Sequence, residues 1–175
     1  MSVSLYDVSI PVYIRMLGNL AHFLDKAERH ARETGVDLAT YVEAHLGHGM
    51  FPLNRQIQLA SDAAKGGGAR LAGVEAPSMP DTEATFPELV QRIQKTIAFL
   101  EGLKREQIDG QEGRAIELKL PSRTMEFTGL SFLTTFSMPN FLFHVTTAYA
   151  ILRSQGVPLG KMDFLAGAAA EAVAA

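Results

Sequence analysis

Pro139-Asn140-Phe141-Leu142-Phe143-His144-Val145-Thr146-Thr147-Ala148-Tyr149-Ala150-Ile151-Leu152-Arg153 is the stretch on which the fold turns. It is apolar and helix-forming, and it carries one histidine on its most apolar side. His144 shares a helical face with Asn140, Thr147 and Ile151. Helical metal proteins often place a second histidine four residues on, and here that position is Ala148. The stretch therefore reads as one long helix of a bundle with an incomplete ligand set. Its helix is expected over about 129–155, with Pro139 kinking or dividing it and Gly156 closing it.

Just upstream the period changes. Ala115 to Leu120 and Thr124 to Thr128 alternate apolar and polar residues around a Pro121-Ser122-Arg123 turn. That pattern predicts a β-hairpin, which is marginal alone and must lean on helices. Further back, Phe86, Leu89, Ile93, Ile97, Leu100 and Leu103 repeat with helical period. Thr85 and Glu88 fit a capping box, and Pro87 fits a first turn. That helix is expected to end near Gln107, and residues 72–84, with Gly73, Pro77 and Pro80, read as a loop.

Residues 53–71 predict another long helix, with Asn54, Gln58, Asp62 and Lys65 on one face. Gly66-Gly67-Gly68 costs on the order of 1 kcal/mol per residue relative to alanine. Either the helix breaks there or another helix packs very close. The first long helix is expected over about 4–34, with Ser9 capping and Pro11 in its first turn, or with Pro11 kinking it. Asp37 caps a short helix, Leu38 to Leu46, broken by Gly47-His48-Gly49. His22 and His30 read as surface positions. Four long helices with helical connectors argue for an all-α four-helix bundle.

The 175 residues suit one domain, 1–165, followed by an alanine-rich, fraying tail, 166–175. The chain has no cysteine, which removes thiol catalysis and Cys-based zinc sites. Net charge is −3 and no basic run tracks a phosphate backbone, so nucleic acid is not an expected partner. The N-terminus lacks the pattern of a secretion signal, and 130–152 includes Pro139, Asn140 and His144 without membrane-interface flanks. The expected setting is cytoplasmic, with no membrane partner.

Several segments carry a resemblance. Ser4-Leu5-Tyr6-Asp7-Val8-Ser9-Ile10-Pro11, Met50-Phe51-Pro52-Leu53, Ala63-Ala64-Lys65, Pro139 to Tyr149 and Gly156-Val157-Pro158-Leu159 resemble the bacterial family called domain of unknown function 1993. That family is similar to the DinB/YfiT-like superfamily. The resemblance implies an up-down four-helix bundle with a short hairpin before the last long helix, often dimeric, so a homodimer is expected. It also implies a cleft where many members hold a divalent metal on three histidines, one from the second helix and a His-x-x-x-His pair from the fourth. His144 matches the first of that pair, Ala148 stands in place of the second, and 53–71 contains no histidine. A divalent metal is possible on this reading but disfavoured.

The expected cleft gathers His144, Gln58, Asp62, Lys65, Asn140, Tyr13 and Tyr149. His144 is either a satisfied core histidine or a pocket base or ligand. The polar face of 53–71 is either a solvated stripe or a cleft wall, and Asp62 meeting His144 would orient the imidazole or help complete a sparse metal site. His144, Asp62 and His48 are the metal candidates. The first functional expectation is a small-molecule-binding protein with a cleft near His144. The alternative is a metal-dependent hydrolase or thiol transferase using His144 with Asp62. A ligand-free structural dimer is the third.

Overall fold

The structure, a computed structural model, describes residues 3–47, 49–120 and 122–169. His48, Pro121 and the last six residues of the alanine-rich tail lie outside the described residues. In chain order the elements are α1 (Ile10–Thr34), α2 (Leu38–Glu43), α3 (Leu53–Ala72), α4 (Phe86–Glu101), α5 (Arg105–Ile108), β1 (Ala115–Leu120), β2 (Arg123–Thr128), α6 (Gly129–Ser131), a π-helical turn (Phe132–Ser137), α7 (Met138–Ser154) and α8 (Lys161–Ala166). The bundle consists of α1, α3, α4 and α7. Leu17, Leu20, Ile57, Ala60, Ile93, Phe141, Val145 and Ala148 fill its centre.

The directions follow from which side chains meet. Tyr13 meets Phe141 edge to face at 5.0 Å and Phe23 meets Tyr149 at 5.7 Å, so α1 and α7 run parallel. Ser61 pairs with Thr96, and Gly68 packs on Leu100, so α3 and α4 also run parallel. The bundle thus runs up, down, down, up along the chain. Between α3 and α4, residues 73–85 must cross back along the whole bundle, and this crossover loop shapes the polar chemistry of α3.

Pro11 sits in the first turn of α1, which begins at Ile10 rather than near residue 4. Ser9 does not cap it; its hydroxyl donates to Leu5 O at 2.6 Å. Asp37 accepts from Ala39 N–H at 2.9 Å and starts α2, which stops at Glu43. The Glu88 carboxylate accepts from Thr85 N–H at 3.0 Å, as a capping box requires. α4 ends at Glu101, short of the expected Gln107, because α5 is a separate turn.

The three glycines of α3 do not break it. A Cβ on Gly67 would lie 2.4 Å from Ser137 Oγ and 2.8 Å from the Tyr13 hydroxyl. One on Gly68 would lie 2.6 Å from Leu100 Cδ2. The propensity cost is offset by this close approach of α1, α4 and the π-helical turn to α3.

The π-helical turn has a local cause. Pro139 has no N–H to offer the carbonyl four residues back, and its ring crowds that carbonyl. Widening the turn relieves both, and Met138 N–H reaches Leu133 O instead. Thr134 and Thr135 hydroxyls donate to Leu130 O and Ser131 O, at 2.9 and 2.6 Å, which eases the bend. β1 and β2 pair antiparallel with Leu118 opposite Met125. Phe127 meets Phe132 edge to face and Phe136 at a tilt, so the hairpin leans on the π-helical turn. Among the described residues no helix is long and apolar enough to cross a membrane.

Candidate functional site

α3 presents polar side chains to two neighbours, and the structure divides the expected cleft between them. Toward α7, His144 is 9% exposed and its Nδ1 lies 2.8 Å from Gln56 Oε1. The partner is a carboxamide, so His144 needs no charge to be satisfied. Burial, and then the positive charge of Arg55, lower its pKa from the usual imidazole value. His144 in this setting is a neutral imidazole with Nδ1–H donating to Gln56, and its other nitrogen holds a lone pair.

Toward α4 and the crossover loop the polar groups are charged. Arg92 on α4 is 2% exposed and reaches into a ring of acceptors. Its Nη1 donates to Pro80 O at 3.1 Å and to both Glu83 oxygens at 3.0 and 3.1 Å. Its Nη2 donates to Asp62 and lies 2.9 Å from Asp81. Asp62 also meets Lys65 at 3.0 Å, Gln58 Nε2 donates to Glu83 at 3.0 Å, and Arg55 pairs with Asp81. At Asp81, burial raises the carboxyl pKa, but Arg55 and Arg92 outweigh it and hold the group below the usual carboxylate range. The polar face of α3 thus clamps the crossover loop. This is where Gln58, Asp62 and Lys65 lie. Asp62 and His144, whose pairing the sequence left open, have separate partners.

Tyr13 is fully buried and its hydroxyl lies 2.8 Å from Ser137 Oγ. Burial raises its pKa, so it is a neutral phenol. Tyr149 sits elsewhere, in an aromatic cluster with Phe23 and Phe164. Asn140 lies one turn before His144 on the same face of α7. It lines a groove of about 200 Å³ between α3, the π-helical turn and the hairpin, together with Asp62, Gly67, Arg70 and Ser137. Leu118 and Phe136 supply apolar wall there. Arg70 reaches back to Gly66 O at 3.0 Å. Among the described residues the Asn140 side chain has no hydrogen-bond partner.

The donor set does not fit a three-histidine metal centre. Ala148 is buried where a second α7 ligand would stand, Gln56 occupies one nitrogen of His144, and Asp62 is held by two cations. No three His, Asp or Glu side chains among the described residues come together as a metal-holding group. The expected surface histidines are also corrected. His22 is 7% exposed, and its Nε2 lies 2.9 Å from Asp163, which also pairs with Lys26. His30 Nδ1 meets the Tyr41 hydroxyl at 2.7 Å. Both tie neighbouring elements to α1.

The fold is a four-helix bundle with a two-stranded hairpin before its last long helix. A crystal structure described as a DinB family member from Shewanella denitrificans is similar at 39% sequence identity. It covers 92% of this chain and 91% of its own, with a TM-score of 0.85. Residues 5–165 match the family described as domain of unknown function DUF1993, and the chain belongs to that family. Among curated proteins, none matches.

Proposed function

We propose that this protein binds a small polar molecule in the groove between α3 and α7, one turn from His144, without a three-histidine metal. One observation carries the reading: Asn140 points an unpaired, half-buried carboxamide into the groove that Asp62, Arg70 and Ser137 also line. A few convergent polar groups against apolar walls are what a small-molecule site needs. The alternative, a metal-dependent hydrolase using His144 with Asp62, finds no support in the partners those two residues have. A homodimer belongs to the proposal, and an apolar groove of about 300 Å³ lined by Val8, Leu133, Met138, Pro139 and Leu142 supports it; light scattering on the eluted protein tests it.

The ligand site is tested by ligand-observed NMR with a fragment set of small neutral amides, hydroxy acids and amines. The proposal expects fragments that bind wild type and are lost in Asn140→Leu, a near-isosteric change. No binders, or binders indifferent to Asn140→Leu, would count against it.

A further inference from the structure

The crossover loop and the outer face of α4 enclose a second groove, of about 620 Å³, that the reading above does not use. We propose that it is a separate binding site for a small amphipathic carboxylate, a molecule with an apolar body and one anionic end.

The volume lies within the roughly 300–1,000 Å³ of small-molecule sites. Pro77, Met79 and Pro80 from the loop and Phe99 from α4 supply apolar wall. That wall is already in place. Arg92 holds Pro80 O, and Met79 Sδ lies 3.8 Å from Thr96 Oγ1. A preformed wall lowers the ordering cost of binding.

The charges select the ligand. The groove is lined by four charged side chains, Glu83, Glu88, Arg92 and Lys95. Glu83 is engaged by Arg92 and by Gln58 Nε2, and Arg92 by three carboxylates. Glu88 Oε2 accepts from Ala84 N–H, Thr85 N–H and the Thr85 hydroxyl, at 2.9, 3.0 and 2.9 Å. Those bonds hold its carboxyl below the usual range and engage it at the start of α4. Lys95 alone among these four has no ion-pair or hydrogen-bond partner among the described residues. Gln91, also without a partner there, stands one turn before Lys95, and Phe99 one turn after. The stripe therefore offers an amide and an ammonium as donors beside an aromatic wall. A carboxylate takes the two donors while its apolar body lies against Phe99 and Met79. A cationic ligand finds both carboxylates engaged. An uncharged apolar one leaves Lys95 unanswered.

The probe is 4-phenylbutyrate, with 4-phenylbutan-1-ol and 4-phenylbutylamine as the neutral and cationic counterparts, read by calorimetry and ligand-observed NMR on the whole chain. The carboxylate is expected to bind and the amine not to. Lys95→Gln is expected to raise Kd about tenfold, the size of one charged hydrogen bond, whereas Lys95→Arg keeps the affinity. Lys95 is exposed, so neither variant disturbs the fold. Asn140→Leu, which disables the other groove, is expected to leave 4-phenylbutyrate binding unchanged. Absence of carboxylate binding, equal binding of the amine, indifference to Lys95→Gln, or loss in Asn140→Leu would each overturn the proposal.

Discussion

The two polar faces of α3 solve the same problem differently. Toward α7, Gln56 meets a buried imidazole in one neutral hydrogen bond, and about three turns further along α3 Gly67 lets the π-helical turn close in. Toward α4, a buried arginine gathers Asp62, Asp81 and Glu83 at the protein's edge. The inner seam cannot hydrate a charge, so it uses a pair that needs none. The outer seam holds a loop none of whose side chains is fully buried, so it uses charge and leaves the carboxylates partly in water. The groove proposed to take a ligand opens where the two faces meet, at Asp62 and Asn140.

The largest expected effect breaks the outer seam. Arg92→Met removes the cation that three carboxylates share, leaving Asp62 to Lys65, Asp81 to Arg55, and Glu83 with no cation among the described residues. Stranding a buried charge costs about 3–5 kcal/mol, and partial hydration of these groups reduces that to about 2–3 kcal/mol. Denaturant unfolding measures it, and proteolysis within 73–85 should rise in parallel. A loss below about 1 kcal/mol would mean that the loop holds by other contacts.

Next comes the inner seam's close approach. Gly67→Val forces atoms against Ser137 and Tyr13 and is expected to cost about 2 kcal/mol, as overpacking does. Thermal melts that match wild type would show that the π-helical turn yields freely. Gln56→Leu is smaller, about 1–2 kcal/mol, because it leaves one buried imidazole N–H unpaired. Its double mutant with His144→Leu should recover part of the loss, and additive losses would deny the pairing.

The smallest effect separates the seams by pH. The folded pKa of His144 is lowered, so protonation favours the unfolded chain. Its contribution is complete above the unfolded value, about 6.5, and fades as pH falls through the folded one. Asp81 of the outer seam behaves alike in sign but at lower pH, its carboxyl held below the usual range by Arg55 and Arg92. Denaturation midpoints between pH 7.5 and 5 should therefore fall less in His144→Gln than in wild type. Identical slopes would remove His144 from the account.

Much of this was legible in the sequence. The period of Phe86 to Leu103, the Thr85–Glu88 box and the alternation around residues 115–128 gave the elements, and the Gly66–Gly68 run gave close packing as one of two outcomes. The partners of His144 and Asp62 were not legible, because they depend on which way each helix runs. A crossover loop that makes α3 and α4 parallel leaves no periodic signal. Two residues did carry one. Arg92 sits on the apolar stripe of Leu89, Ile93 and Thr96, and Gln56 sits beside Leu53, Ile57 and Ala60 on the buried side of α3. A polar residue on a buried stripe needs a partner, and both found theirs across a seam.

The central claim is that His144 belongs to a hydrogen-bonded seam beside a ligand groove and not to a metal centre. Metal analysis of untagged protein, wild type beside His144→Ala, tests it most directly. The expected result is far less than one equivalent of zinc, nickel, iron or manganese in both. One equivalent in wild type that disappears in His144→Ala would contradict it.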